Sequence, residues 1–266
     1  MTRQMLRPLV ILPTDNEQEN LQWLIPEILN IDPRIHVLIV DDSSPDDTAG
    51  LVRQLMLTEL GTRISLETRA SKRGLASAYV HGFSWGLARG YDFLIEMDAD
   101  WSHKPKYLAQ MLAAALEADF VIGSRYVADG GTLNWELGRK LLSRGGNLYA
   151  RLILGVNVCD LTGGFNGWHA RVLQSACIES IQSEGYSFQI ELKYRVSQLG
   201  FKHIEFPITF EERRAGRSKM SAAIAVEAIW RVWAFRWNRS AILARSCPQS
   251  QSEVRTRAKS PPRARS

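Results

Sequence analysis

The segment DFLIEMDADWSHKP, residues 92–105, joins a short apolar run to two carboxylates, Asp98 and Asp100. The apolar run has the length of a buried strand, and the acids follow where such a strand would end. Two carboxylates this close repel each other unless a positive group lies between them. The segment therefore predicts a strand whose carboxyl end carries either a polar site or the cap of the next helix.

The same pattern recurs along the first half of the chain, where short apolar runs alternate with segments of helical spacing. We predict strands over residues 9–13, 36–41, 64–68, 92–98 and 120–124. We predict helices over residues 19–29, 46–60, 76–90 and 106–118. This alternation favours an α/β fold with a mostly parallel sheet that is covered by helices on both faces.

After residue 125 the pattern is less regular. We predict, in order, a glycine-containing loop, a helix, a glycine-rich turn, a second helix, a strand, a basic loop and a final helix. These lie over residues 127–138, 139–154, 160–168, 187–199, 202–210, 211–220 and 221–237, respectively.

The positive charge of the chain is concentrated at its C-terminal end. The formal net charge is +5, but residues 239–266 alone are +6, with seven Arg or Lys residues and one acid, Glu253. Residues 1–238 are therefore near −1, which excludes a generally basic nucleic-acid-binding domain. The tail is rich in Ser, Pro and Arg and has no apolar face, so we predict that residues 239–266 are disordered.

Cysteine usage and hydropathy favour a chain that stays in the cytoplasm. Cys159, Cys177 and Cys247 are widely spaced and form no CxxC pair, so neither a disulfide framework nor a structural zinc site is expected. The first apolar run is too short for a signal peptide. No uncharged run approaches the ~18–20 residues that a membrane span needs.

Three acidic clusters follow predicted strands. They are Asp15 with Glu17, Asp41 with Asp42, and Asp98 with Asp100. Parallel strands end at one edge of a sheet, and ligands of such sheets bind there, so we predict one shared site. For residues 41–48, DDSSPDDT, a helix cap is the alternative.

The Asp-Ala-Asp of residues 98–100 suits a hard divalent cation, Mg²⁺ or Mn²⁺. Carboxylates are the ligands these ions prefer, and Mg²⁺ usually takes one or two of them together with substrate phosphates. In an extended segment, Asp98 and Asp100 would point to one side and Ala99 to the other. The alternative is a cap for the helix after residue 105, with Ser102 as a second cap candidate.

A phosphorylated partner of that cation requires positive groups near the same edge. Arg125 follows the fifth predicted strand, and the basic loop supplies Arg213, Arg214, Arg217 and Lys219. Arginine can bind phosphate through two parallel hydrogen bonds, whereas lysine acts as a point charge. Taken alone, the basic loop is equally well explained as a solvated surface loop.

Other chemistries lack their motifs. The chain contains no G-x-G-x-x-G after the first strand, no Walker A sequence, no H-E-x-x-H and no G-x-S-x-G. The five histidines are scattered, and only His103 lies near the acids, where a surface or supporting role is expected.

The final helix carries tryptophans at helical spacing. Trp230, Trp233 and Trp237 fall on one face with Val226 and Ile229. Such a helix beside a basic tail suits a membrane interface, where each tail charge adds about 1 kcal/mol of attraction to anionic lipid. Packing of this face on the domain is the alternative.

Eight motifs together resemble those of a known family. They are ILPTDNEQENL, LIVDDSSPDDTA, RGLASAYVHGF, MDADWSHKP, VIGSRYVADGG, RKLLSRGGN, DLTGGFNGW and RRAGRSKM. They stand in the order found in dolichol-phosphate (polyprenol-phosphate) mannosyltransferases, which are inverting family-2 glycosyltransferases. The resemblance covers roughly residues 8–237 and implies a GT-A, Rossmann-like domain over residues 1–238. Within this domain, residues 221–238 are the candidate membrane-interface helix that the tryptophan spacing indicates.

The resemblance implies transfer of mannose from GDP-mannose to the phosphate of a polyprenyl lipid, at the cytoplasmic face of the membrane. It assigns the guanosine to Pro13, Glu17, Val40 and Asp42, and the diphosphate and metal to Asp98, Ala99 and Asp100. It assigns the acceptor phosphate to Arg125, Arg139 and Ser143, and a loop that closes over the donor to Arg213 and Lys219. A membrane-protein partner is compatible with this family.

One residue departs from the family pattern. The family usually has Tyr after Pro-Thr, where this chain has Asp15. The lost ring removes stacking or packing near the base, and the extra acid disfavours a nearby phosphate, so this departure bears on the identity of the donor. The residue two positions after Asp100, where the family has a metal ligand, is Ser102, which is a weak ligand.

The implied reaction requires no strong base, because a phosphate monoester is already anionic near neutral pH. The chain also lacks the Q-x-x-R-W motif typical of enzymes with sugar acceptors. The metal, Arg213 and Lys219 would stabilise the departing GDP, while Arg125 and Arg139 align the attacking phosphate. Two alternatives are a UDP-glucose or other nucleotide-sugar enzyme with the same acceptor, and a catalytically silent nucleotide-sugar-binding subunit.

Overall fold

The computed structural model describes residues 6–181, 183–212 and 222–244. The strands are β1 Pro8–Thr14, β2 His36–Asp41, β3 Ile64–Thr68, β4 Phe93–Glu96, β5 Phe120–Ser124, β6 Gly131–Leu133, β7 Asn166–His169, β8 His203–Pro207 and β9 Thr209–Glu211. The helices are α1 Gln18–Ile31, α2 Thr48–Leu55, α3 Leu75–Ala88, α4 Tyr107–Ala114, α5 Leu137–Leu154, α6 Ala170–Ala176, α7 Gly185–Gln198, α8 Ala222–Trp237 and α9 Arg239–Ala244. Two short 3₁₀ helices cover Gly61–Arg63 and Ile178–Ser180.

Seven strands form one sheet in the order β3-β2-β1-β4-β7-β5-β8. All of its pairings are parallel except those of β7, which runs antiparallel between β4 and β5. The predicted α/β fold with a mostly parallel sheet is therefore confirmed. The five predicted strands of the first half correspond to β1–β5, and β1, β2, β4 and β5 are apolar runs that are buried on both faces.

Helices cover the sheet on both sides, and the strand side chains alternate between two cores. On one side, Leu9 and Ile11 of β1 pack in a cluster with Tyr79 of α3 and Tyr194 of α7. On the other side, Val10 and Leu12 of the same strand pack with residues of α1 and α4. The sheet thus lies between two layers of helices.

The structure differs from the sequence prediction at residues 160–168. These residues were expected to form only a turn, but the last three of them begin β7, a central strand of the sheet. Glycine and asparagine have low β-propensity, so the pattern gave no strand signal here. Glycine is nevertheless required at residue 167, because Phe93 of the neighbouring strand occupies the space beside it.

The single strand predicted over residues 202–210 is two strands. β8 pairs with β5, whereas β9 pairs with β6 in a separate two-stranded sheet. Ile208 lies between them: its N–H donates to the Ser124 carbonyl, and its carbonyl accepts from Gly131 N–H, both at 3.0 Å. The chain therefore changes sheets without losing backbone hydrogen bonds, directly above the end of β5.

The C-terminal helix packs on the domain through one face and leaves another exposed. Val232 and Phe235 are buried, Trp230 and Trp237 are exposed, and the Trp233 ring lies 5.3 Å from that of Trp237. The described residues that pack on the domain are thus Val232 and Phe235 rather than Trp230 and Trp237, and the membrane-interface alternative stays a prediction. The side chains of Val226 and Ile229 lie outside the described part of the helix. None of the described helices is long and apolar enough to cross a bilayer.

Two further features near this end concern the predicted tail and the cysteines. α9 occupies residues 239–244, within the range predicted to be disordered, and its Ile242 is buried. The remainder of that range lies outside the described residues. Cys159 is a free thiol, but Cys177 takes part in a disulfide bond, which the cysteine spacing does not predict.

Adding a methyl group at Gly167 should destabilise the centre of the sheet. A Cβ there would lie 2.3 Å from Cζ of Phe93 and 3.0 Å from Sδ of Met111. We expect Gly167→Ala to lower the free energy of unfolding by about 1–3 kcal/mol, as overpacked cores do. The control is Gly145→Ala in α5, where nothing lies within 4 Å. It should be neutral or stabilising because alanine favours a helix. If urea unfolding showed equal losses of unfolding free energy for both variants, overpacking against Phe93 would not be the cause.

Candidate functional site

The acidic clusters lie at the carboxyl edge of the sheet, as parallel strand order requires. Thr14 of β1 pairs with Asp41 of β2, and Ile11 pairs with Glu96 of β4, so the loops after these three strands begin side by side. β5 ends at the same edge and leads into Arg125. The structure therefore brings the ends of four strands to one polar surface.

Asp98 and Asp100 are held by short-range hydrogen bonds in the loop after β4. The Asp98 N–H donates to His103 Nδ1 at 3.1 Å, and Tyr79 Oη lies 3.4 Å from Asp98 Oδ1. The Ser102 N–H donates to Asp100 Oδ1 at 3.0 Å. Asp100 is almost fully buried and Asp98 is partly exposed.

The backbone of this loop departs from the extended form that the sequence predicts. Trp101 has a φ of 67°, a left-handed conformation that is uncommon for a bulky residue. Ala99 is buried in the core that contains α1 and α4, so its side chain does point away from the edge. Ser102 is also buried. The left-handed backbone at Trp101 persists only where surrounding contacts hold it. Here the hydrogen bonds of Asp98 with His103 and of Asp100 with the Ser102 N–H supply those contacts.

His103 is not a surface residue. It is buried, its ring stacks on Phe165 with centroids 5.1 Å apart, and Phe210 contacts its ring edge at 5.3 Å. Burial lowers the pKa of His103 to about 4, so its imidazole is neutral at pH 7. Its Nδ1 can then accept the Asp98 N–H, which fits the expected supporting role.

The carboxylates of Asp98 and Asp100 fit a hard divalent cation whose remaining ligands come from a substrate. Both residues offer carboxylate oxygens, the ligands that Mg²⁺ and Mn²⁺ prefer. No group of three His, Cys, Asp or Glu side chains with metal-site geometry occurs within residues 6–181, 183–212 and 222–244. A closed structural site is therefore not formed by the described side chains, and substrate oxygens or water would have to supply further ligands.

Arg125 makes a fully buried ion pair. Its Nε and Nη2 donate to the two carboxylate oxygens of Asp160 at 2.8 and 2.7 Å, and Nη2 also reaches Thr162 Oγ1 at 2.8 Å. The Arg125 guanidinium keeps the pKa of Asp160 down at about 2, despite burial. The edge of Arg125 that could bind a phosphate through two hydrogen bonds is therefore already taken by a carboxylate.

Arg139 and Ser143 lie on α5 beside the Arg125 loop. The Arg139 guanidinium lies 4.0 Å from the centre of the Trp135 ring, and that of Arg125 lies 5.7 Å from the same ring. Arg139 also forms an ion pair with Glu212. Tyr126 Oη donates to Ser143 Oγ at 2.6 Å. The three residues assigned to the acceptor phosphate are thus gathered around Trp135 and Tyr126.

A buried polar network beneath the edge was missed from the sequence. Glu96 accepts hydrogen bonds from Asn166 at 2.8 Å, Gln189 at 2.7 Å and Trp168 at 3.1 Å. Lys193 donates to the carbonyls of Asp160 at 2.9 Å and Gly163 at 2.7 Å. Burial raises the pKa of Glu96 to about 7 and lowers that of Lys193 to about 8.

This network fixes the loop 160–164 from below. Asn147 of α5 completes it, since its amide oxygen accepts the N–H of Leu161 and its amide nitrogen donates to Thr162. A signal was available in the sequence: Gln189 and Lys193 stand four positions apart among apolar residues of α7. Polar residues on the buried face of a helix are hydrogen-bonded, so they indicate a buried network.

The residues assigned to the nucleotide have partners of their own. Arg69 holds both oxygens of Asp42, at 2.6 and 2.7 Å, and Lys72 forms an ion pair with Asp15. Asn20 donates to Glu17 at 2.6 Å. Lys72 thus offsets the extra acid at position 15.

The other residues assigned to the donor differ in how they could take part. Pro13 is half-buried, and Val40 is fully buried, so its side chain belongs to the core. Arg213 and Lys219 of the predicted closing loop lie outside the described residues.

Comparisons with known sequences identify a family and show high similarity to several curated proteins, two of which follow. The family model of Glycosyl transferase family 2 matches residues 9–175. The polyprenol monophosphomannose synthase of Mycolicibacterium smegmatis is 45% identical over 233 residues, which cover 86% of this chain and 88% of the relative. The undecaprenyl-phosphate mannosyltransferase of Micrococcus luteus is 42% identical over 236 residues, covering 89% and 96%.

Solved structures share the fold at low sequence identity. Mannosyl-3-phosphoglycerate synthase from Rubrobacter xylanophilus aligns with a TM-score of 0.62 at 20% identity, covering 90% of this chain and 76% of that chain. Glucosyl-3-phosphoglycerate synthase from Mycobacterium tuberculosis, in complex with Mn²⁺, UDP-glucose and glycerol 3-phosphate, aligns with a TM-score of 0.58 at 16% identity, covering 87% and 80%.

Removing the charge of Asp160 should destabilise the protein strongly. Asp160→Asn leaves Arg125 charged and buried, and we expect the free energy of unfolding to fall by about 3–5 kcal/mol. Because the pKa of Asp160 is lowered in the folded state, its contribution is present above pH 3.8 and is lost as the pH falls toward about 2. Urea unfolding from neutral pH downward measures both effects.

The double variant Arg125→Met/Asp160→Asn is the control, because it leaves no uncompensated charge. It should be more stable than Asp160→Asn alone. A double variant less stable than the single one would contradict the buried-charge explanation.

Proposed function

The chain belongs to glycosyl transferase family 2, the family of its polyprenyl-phosphate mannosyltransferase relatives, and we propose that it transfers mannose from GDP-mannose to a polyprenyl phosphate. The observation that supports this most directly is the meeting of two groups at one sheet edge. The acid pair, Asp98 and Asp100, follows β4. Arg125 follows β5, two strands further along the sheet, and Arg139 of α5 stacks with it around Trp135.

On the donor side, Asp98 and Asp100 would hold Mg²⁺ or Mn²⁺ together with the diphosphate of GDP-mannose. The glucosyl-3-phosphoglycerate synthase with the same fold was crystallised with Mn²⁺. When bound, such an ion would supply positive charge next to the diphosphate. Asp42, with Arg69 holding its carboxylate in place, would contact the guanosine together with Pro13, Glu17 and the backbone of Val40.

On the acceptor side, Arg139 and Ser143 of α5 would bind the polyprenyl phosphate, and Arg125 supplies positive charge beneath them. A phosphate oxygen attacks C1 of mannose, the bond from C1 to the diphosphate oxygen breaks, and GDP leaves with the bonding electrons. A phosphate that is already anionic needs no general base. Arg125, Arg139 and Ser143 would therefore orient the phosphate and neutralise its charge rather than remove a proton. Attack opposite the leaving group inverts C1 and gives a β-linked product.

Two groups of residues would complete the donor site. Arg213 and Lys219 would close over the diphosphate from the basic loop. The Asp15–Lys72 pair lies near the expected base site, where the family carries a tyrosine. Lys72 offsets the negative charge of Asp15 that would otherwise repel a phosphate. The replacement of tyrosine by Asp15 is therefore compatible with GDP-mannose as the donor.

The proposed site of action is the cytoplasmic face of the membrane, with the chain bound peripherally. A lipid acceptor requires the enzyme to reach the headgroup region, and α8 presents Trp230 and Trp237 to the outside. The basic tail adds attraction to anionic lipid. The near-neutral charge of residues 1–238 gives no reason to propose a nucleic-acid partner.

A transfer assay tests the proposed function. Purified chain is mixed with polyprenyl phosphate, Mg²⁺ or Mn²⁺, and labelled GDP-mannose or labelled UDP-glucose, and lipid-linked label is counted. We expect label from GDP-mannose. Label from UDP-glucose alone would favour a glucosyltransferase with the same acceptor. No lipid-linked label from either donor would contradict the assignment and favour a silent binding subunit.

The assigned metal site is tested by Asp100→Asn. The amide keeps the shape of the side chain and its contact with the Ser102 N–H, but it removes the negative charge that would bind the cation. We expect metal-dependent turnover to fall by about 10²-fold or more, with unfolding little changed. Asp129→Asn, an exposed acid outside the site, is the matched control. Near-parental turnover of Asp100→Asn would show that the metal is held elsewhere.

A further inference from the structure

Helix α5 exposes leucines along most of its length. Leu137, Leu141, Leu148 and Leu152 are 72%, 64%, 56% and 70% exposed, respectively. At 3.6 residues per turn, these four positions fall within about 60° of arc on one side of the helix. We call them the leucine face. A long helix in a globular protein normally turns such a stripe toward the core.

The orientation of α5 is fixed by its opposite side. Asn147, Ala150 and Leu154 are buried there, and Asn147 is hydrogen-bonded to the loop 160–164. These contacts belong to the same network that holds Arg125. The leucine face therefore cannot rotate inward without breaking the acceptor side of the site.

The charge of α5 suits an anionic surface. The helix contains four cations, Arg139, Lys140, Arg144 and Arg151, and no acid between Leu137 and Leu154. Lys140, Arg144 and Arg151 fall on one flank of the leucine face, between it and the buried side. An exposed apolar stripe with a cationic flank is typical of helices that lie in a membrane interface.

The neighbouring helix also exposes large apolar side chains. α8 packs against α5, and its Trp230 and Trp237 are 67% and 71% exposed. Tryptophan is enriched at the boundary between lipid tails and headgroups. A second copy of the chain is a poor occupant, because a symmetric contact between two such helices would bring like charges together.

We propose that the leucine face of α5, with its basic flank, docks the protein on an anionic lipid bilayer. This inference rests on the proposed function in one respect, since a lipid acceptor gives the contact its purpose. Arg139 and Ser143 lie on the same helix, on the side that faces the domain, so docking places them about one helix diameter, ~10 Å, from the lipid surface. The polyprenyl chain then stays in the bilayer while its phosphate enters the site.

Vesicle sedimentation tests the surface without any substrate. Full-length protein is mixed with vesicles of phosphatidylcholine and phosphatidylglycerol in equal parts, and the bound fraction is measured. We expect Leu141→Ser/Leu148→Ser to bind about tenfold or more weakly than the parent, because two apolar contacts with the lipid are lost. Leu57→Ser/Leu116→Ser, which changes exposed leucines elsewhere, should bind like the parent. Arg144→Gln should weaken binding to these vesicles but not to phosphatidylcholine alone.

Two outcomes would overturn the proposal. One is parental binding by the Leu141→Ser/Leu148→Ser variant. The other is absence of binding by the parent, which would leave a membrane-protein partner as the occupant of the surface.

An activity measurement separates this inference from the proposed function. Mannose transfer is measured to polyprenyl phosphate in vesicles and to a short prenyl phosphate dissolved in water. The leucine variant should lose transfer to the vesicle acceptor and keep transfer to the soluble one. A parent that transfers mannose to neither acceptor would contradict the proposed function, whereas the sedimentation result would still decide the docking surface.

Discussion

The buried ion pair between Arg125 and Asp160 is the contact on which the acceptor side of the site depends. It joins the end of β5 to the loop 160–164, and Thr162 and Asn147 extend the connection to α5. Two charges without water are costly unless their geometry is good and their remaining hydrogen-bonding groups are satisfied. Here Asp160 also accepts the N–H groups of Arg125 and Gly163, which meets that condition.

The same loop links the two halves of the site. Lys193 holds the carbonyls of Asp160 and Gly163 from below, and Gly164 leaves space beside Asp98 and His103. Because Lys193 binds backbone carbonyls, it anchors the loop independently of the Asp160 carboxylate, so loss of the ion pair alone releases Arg125 on the acceptor side while the loop stays beside the acid pair. Buried polar networks of this kind favour one arrangement when every member is satisfied, and we interpret the network as the support of the proposed site.

Much of the fold follows from local sequence pattern, but the contacts of the site do not. β1–β5 were predictable because each is a short, largely apolar run, and their parallel order placed the three acidic clusters at one edge. β7 was missed because Asn166 and Gly167 lack any strand signal. The pairs Asp42–Arg69 and Arg125–Asp160 join residues 27 and 35 positions apart, and only packing decides such pairings. The exposure of the α5 leucines was equally hidden, since helical periodicity alone favours burying them.

The central claim is that the Arg125–Asp160 pair organises the acceptor side and not the donor side. The most direct measurement is the Michaelis constant of the folded Asp160→Asn variant for each substrate. The account predicts a raised constant for polyprenyl phosphate and a near-parental constant for GDP-mannose. A raised constant for GDP-mannose with an unchanged constant for the acceptor would contradict it.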